Sequence, residues 1–110
     1  MDDFSFLTNH ARVLMCLGRH SEARMRDVAG WLDITERAVQ RIVADLESAG
    51  YLRRIRQGRR NRYEVSRELP LRHPAEGAGS VASLLGLSEA EVANTDRPRR
   101  EIARNGSFID

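Results

Sequence analysis

Lysine is absent from this chain of 110 residues, so all 18 of its Lys-or-Arg positions are arginine. Aromatic residues make up only 5%, which means that any core must be largely aliphatic. The single cysteine, Cys16, excludes an internal disulfide and a cysteine-only metal site, in agreement with a reducing compartment. No apolar run approaches membrane-spanning length: the longest, Val13-Leu14-Met15-Cys16-Leu17, is far too short. The start Met1-Asp2-Asp3 lacks the basic region of a secretory signal. These features predict a soluble, cytoplasmic protein. With 41% hydrophobic and 31% charged residues the chain has the material for one globular domain, and the composition argues against wholesale disorder.

The formal net charge is only +2, but it is unevenly spread. Residues 51–72 carry eight Arg against two Glu, a local excess of +6, whereas residues 1–50 and 73–110 each come to −2. An arginine-biased genome would account for the choice of arginine over lysine. It does not explain the clustering, which points to an anionic partner for one surface.

Local patterns divide the chain into short elements. Thr8 suits an N-cap, and the spacing of Leu7, Ala11, Leu14 and Gly18 predicts a first helix over 9–17 with Gly18 at its end. Five consecutive apolar residues cannot all face one core, so this helix is expected to be covered on two sides. Met25, between two arginines, reads as a short strand before Asp27 opens a second helix over 27–32, with Val28, Trp31 and Leu32 on one face and Trp31 as a core anchor. After the break Asp33-Ile34-Thr35, a third helix over 36–49 buries Val39, Ile42, Val43 and Leu46, and Ala49-Gly50 stops it.

Its other face carries Arg37, Gln40, Arg41, Ala44 and Asp45, with Arg41 and Asp45 spaced for a surface ion pair. Residues 51–57 and 62–66 read as strands joined by the turn Gly58-Arg59-Arg60-Asn61, with Tyr63 and Val65 pointing inward. Leu52 and Ile55 differ in parity, which requires a bulge or exposure of one of them. Pro70 and Pro74 end regular structure, and Val81, Leu84 and Leu85 mark a further amphipathic helix over 80–87 that Ser88-x-x-Glu91 can restart. Beyond 94 the sequence predicts a mobile tail.

The order helix, short strand, helix, three-residue turn, helix and hairpin predicts a mainly α protein with a small β-hairpin, the winged helix-turn-helix. The run from Arg26 through Leu52 is similar to MarR-like and, as second choice, ArsR-like transcriptional regulators. What carries the similarity is the pairing Val28-Ala29, the polar Thr35 opening the third helix, and Ala49-Gly50-Tyr51-Leu52 leading into the hairpin. The resemblance implies a DNA-binding domain over 1–75, a C-terminal helical segment over 76–94 that can serve dimerisation, and the tail over 95–110.

It also implies sequence-specific binding to double-stranded DNA. A recognition helix over about 35–49 would present Thr35, Glu36, Arg37, Ala38, Gln40 and Arg41 to the major groove. A wing over 56–62 would bring Arg56, Arg59, Arg60 and Arg62 to phosphates or a minor groove. The side chains suit these tasks, since Arg forks onto guanine, Gln pairs with adenine and Glu accepts from cytosine. Thr35 is equally accounted for as a cap.

Other chemistries find less support. Cys16 and His20 are too few for a metal site, so neither metal nor cofactor is expected, and Cys16 in its apolar run reads as a packed small hydrophobe rather than a redox sensor. The sequence contains no phosphate loop or nucleophile motif, so an enzyme is not expected. The rival reading is a winged helix that uses its arginines on an acidic protein. A homodimer through the first helix and residues 78–87 is expected from their surplus of apolar faces. Any small-molecule effector is undetermined by the sequence.

Overall fold

The computed structural model describes the backbone of residues 4–93 and the side chains of residues 4–87. Among the described residues it is a mixed α and β structure of four α-helices and one two-stranded antiparallel hairpin, compatible with a winged helix. The elements follow the order α1 (Asn9–Arg19), α2 (Met25–Leu32), α3 (Glu36–Ser48), β1 (Leu52–Gln57), β2 (Arg60–Val65) and α4 (Val81–Ala93), with a 3-10 turn at Pro74–Glu76 before α4.

Helix α1 begins as the sequence predicts, with the Thr8 hydroxyl accepting from the Ala11 amide. It does not stop at Gly18. Gly18 is interior to the helix, and its missing side chain leaves room for Leu85: a Cβ there would lie 2.9 Å from Leu85 Cδ2. The over-apolar segment is indeed covered on more than one side. Val13, Leu14 and Leu17 are buried, and α1 packs against α2, α3, β2 and α4.

The strand expected at Met25 is absent, because helix α2 starts there. The Asp27 carboxylate accepts from the Arg24 amide at 3.3 Å, which makes Asp27 the third helical residue and not the cap. Contact between this region and the hairpin comes earlier, where the Tyr63 amide donates to the Ser21 carbonyl at 2.9 Å. Trp31 is not a core anchor either. The buried stripe of α2 is formed by Val28 and Ala29, flanked by half-buried Met25 and Leu32. At 3.6 residues per turn Trp31 falls outside that arc. It is 53% exposed, its ring resting 4.9 Å from that of His20.

Helix α2 ends in a left-handed residue that is not glycine. Asp33 has φ 57°, and the Ile34 amide closes back onto the Ala29 carbonyl. Thr35 then caps α3 by accepting from the Ala38 amide at 3.0 Å. Helix α3 ends at Ala49-Gly50 as expected: Gly50 takes φ 87°, its amide donates to the Glu47 carbonyl and that of Tyr51 to the Leu46 carbonyl.

In the hairpin, β1 and β2 pair without a bulge from Leu52↔Val65 to Gln57↔Arg60. The turn is therefore the two residues Gly58-Arg59 and not four, with positive φ at Gly58. Arg60 and Asn61 belong to β2. The parity conflict is resolved by partial exposure: Leu52 and Tyr63 are buried on the inner face, and Ile55 is half-buried on the outer one. Helix α4 runs without interruption to Ala93, past the expected break at Ser88. Its first amides donate to the hairpin's exit segment, Val81 to the Leu69 carbonyl and Ala82 to the Arg67 carbonyl. Val81, Leu84 and Leu85 are buried in the same core as α1.

The two apolar stripes from which self-association was expected therefore lie in one core within one chain. The tail expected over 95–110 lies outside the described residues. Two stability measurements follow. In urea unfolding, Leu85→Ala should cost about 2–5 kcal/mol if α4 is part of the core, and a loss well under 1 kcal/mol would show that it is not. Asp33→Val should cost about 1–2 kcal/mol through its left-handed backbone, while Asp33→Gly should cost less.

Candidate nucleic-acid interface

Helix α3 buries Val39, Ile42, Val43 and Leu46 on one side, so its opposite side is fixed by the helical period. Arg37, Gln40, Arg41 and Ala44 form an exposed stripe there, with Glu36 exposed at its edge. Arg41 does not pair with Asp45 as the spacing suggested. Asp45 instead faces α1, where its Oδ2 lies 2.8 Å from His10 Nε2. Arg37, Gln40 and Arg41 have no side-chain partner among the described residues. Ala38, expected on the exposed face, is half-buried, and Thr35 is exposed but spends an acceptor on its cap.

The arginines of the hairpin separate into two groups. Arg59 stands exposed in the turn with no partner among the described residues. Exposed Arg56 donates through Nε to the Gly58 carbonyl at 2.7 Å, which leaves its terminal nitrogens open. The others are held. Arg60 reaches away from the turn and donates to the Glu22 carbonyl at 2.9 Å. Arg53 and Arg62 both address Glu64, at 2.7 and 3.4 Å, and Arg53, by its hydrogen bond, holds the Glu64 carboxyl below its ordinary range. Arg54 donates twice to Glu47 in the last turn of α3, both bonds 3.0 Å, and this bond raises its already high pKa.

Of the ten expected DNA-contacting residues, five are exposed with no side-chain partner among the described residues: Glu36, Arg37, Gln40, Arg41 and Arg59. Arg56 is a partial sixth. Arg60 and Arg62 are engaged within the chain, and Ala38 and Thr35 serve the helix. Sequence reasoning missed Glu47 and Arg54. The one signal available was that Arg54 shares strand parity with buried Leu52, which marks it as inward-leaning.

Elsewhere, a cavity of about 710 Å³ is lined by Leu7, Leu14, Leu46, Leu71 and Val81, with His10 and Asp45 at its margin. None of the ten residues lines it. Among the described residues no group of three or more His, Cys, Asp or Glu is arranged for a metal, and no helix is long and apolar enough to cross a membrane. Cys16 is half-buried and burial pushes its thiol up to about 11. His20 is held below its ordinary value, by desolvation first and by Arg19 second. In comparisons with known proteins, no family model matches the chain and no curated protein matches it.

The thiol gives a prediction of its own. At pH 8 the shift from 9.0 to about 11 leaves roughly a hundredfold less thiolate than the unshifted group would have. Folded protein should therefore react far more slowly with a thiol reagent than protein unfolded in urea. Equal rates would show that Cys16 is an accessible, reactive thiol.

Proposed function

We propose that the chain is a winged helix-turn-helix protein that binds double-stranded DNA, with α3 as the recognition helix and the β1–β2 hairpin as the wing. The observation that carries this reading is the stripe Arg37-Gln40-Arg41, exposed and without internal partners among the described residues, on a helix whose other face is fully committed to the core. Its 13 residues make a rod of about 20 Å, and one helix fits the width of a major groove. Arg and Gln are the side chains that fork onto guanine and adenine. The uncommitted Arg59 and the terminal nitrogens of Arg56 supply cations of the kind that neutralise phosphates.

Transcriptional regulation in the manner of MarR-like proteins is the physiological role this reading suggests. The partner would meet the free cations of α3 and the turn, while Arg53, Arg54, Arg60 and Arg62 hold partners within the fold. An acidic protein surface is the competing partner, and salt dependence on duplex DNA separates the two.

With two phosphate contacts per protomer, from Arg56 and Arg59, the slope of log K against log salt should be near −1.8 for a bound monomer and about −3.6 for a dimer on a two-fold site. A slope near zero on every duplex favours the protein partner. Arg37→Ala and Arg41→Ala should each cost about 1–3 kcal/mol on a preferred site and narrow its margin over random duplex. Arg59→Ala should weaken both duplexes alike and lower the slope by roughly 0.9. Arg60→Ala should leave the slope unchanged, because its guanidinium holds the Glu22 carbonyl. Fluorescence anisotropy at two salt concentrations reads all four, and uniform losses across them would reduce the site to an unspecific basic patch.

A further inference from the structure

Arg54 differs from the other arginines of the hairpin in being held both by a carboxylate fork and by an aromatic ring. Its Nε donates to Glu47 Oε2 and its Nη2 to Glu47 Oε1, a two-point fork on one carboxylate. Its guanidinium carbon lies 5.9 Å from the centre of the Tyr63 ring. Tyr63 is its direct partner across the hairpin and is itself buried, with only 4% exposed. Glu47 belongs to the last turn of α3, and the chain between it and Arg54 reverses through left-handed Gly50. The pair thus bridges the end of the helix and the first strand. On the hairpin's other edge, the Tyr63 amide and Arg60 hold the carbonyls of Ser21 and Glu22.

We propose that Glu47 and Arg54 are positioning residues for the DNA binding proposed above, on which this inference rests. Their clamp fixes the angle between α3 and the hairpin, so that Arg59 stands in a set relation to Arg37 and Arg41. Arg54 itself is withdrawn from phosphate contact by the fork. Glu47 acts against the local charge and in favour of geometry. That opposition makes the idea testable, because simple electrostatics gives the opposite sign. Glu47→Gln raises the net charge by one, which alone should tighten binding to a polyanion. Loss of the clamp should weaken it.

The experiment uses the full chain, a labelled duplex of mixed sequence and a salt series, with thermal melting to establish that each variant is folded. Glu47→Gln should bind roughly two- to fivefold more weakly, the most that a part-exposed pair can supply, with the salt slope unchanged. Arg54→Lys keeps the charge and loses the fork, so it should show a similar loss. The exchanged pair Glu47→Arg with Arg54→Glu should recover part of it. Binding by Glu47→Gln as tight as wild type or tighter overturns the proposal, as does wild-type affinity in Arg54→Lys.

Residual dipolar couplings of the β1 and β2 amides, measured without DNA, test the clamp separately. They should report a hairpin less firmly oriented on α3 in Glu47→Gln. If the wild-type chain binds no duplex, the DNA reading fails by itself. The couplings still decide the clamp, and an unchanged hairpin orientation in Glu47→Gln overturns it.

Discussion

The fold depends on the burial of one helix. Val13 and Leu17 of α1 are wholly shielded from solvent, and the surfaces that shield them come from α2, α3, β2 and α4. Each fully buried aliphatic side chain of this size is worth about 1.5–3 kcal/mol relative to exposure, so the elements are drawn onto α1 and oriented by it. Once Val39, Ile42, Val43 and Leu46 of α3 are turned toward this core, the period of the helix leaves Arg37, Gln40 and Arg41 facing outward. The exposed stripe is a consequence of packing on the opposite side. Gly18 belongs to the same constraint, because it lets Leu85 close the remaining side of α1.

The electrostatic design is one of sorting. The hairpin region is rich in arginine, yet Arg53, Arg54 and Arg62 are matched to carboxylates and Arg60 to a backbone carbonyl. Such exposed pairs add little stability individually. Their effect is to tie the strands, the end of α3 and the loop before α2 together, while Arg53 and Arg62 share the single Glu64 carboxylate and Arg60, on a neutral carbonyl, keeps its charge. On α3 and the hairpin, Arg37, Arg41 and Arg59 have no partner among the described residues and Arg56 keeps its terminal nitrogens open, which gives these elements a positive surface on a nearly neutral chain.

How much of this was legible in the sequence follows from the range of each interaction. Caps and stops act within four residues, and Thr8, Thr35 and Gly50 perform as their types suggest. The apolar stripe of α3 has the helical period and reads directly. Asp27 shows the limit of local reasoning, since a carboxylate suits both the cap and the third helical position, and the second places Met25 inside α2. Trp31 and Gly18 depend on neighbours distant in sequence. A tryptophan near an apolar face does not reveal that Met25, Val28, Ala29 and Leu32 fill that face without it, and a helical glycine does not reveal that Leu85 lies over it. At the candidate site, the exposure of Arg37, Gln40 and Arg41 was readable from periodicity. The engagement of Arg60 and Arg54 was not, because their partners lie on other elements, whereas Arg62 and Glu64, two apart in one strand, share a face by the strand period alone.

The proposal is that the outer stripe of α3 and the hairpin turn together meet duplex DNA. Its most direct test is a map of backbone amide shifts as unlabelled duplex is added to isotope-labelled protein at low salt. The account predicts that the largest changes fall on residues 35–41 and 56–60, with the α1–α4 core and the amides near Trp31 undisturbed. Shifts concentrated around Trp31 or the cavity between Leu14 and Leu71, or none at any protein-to-DNA ratio, would contradict it.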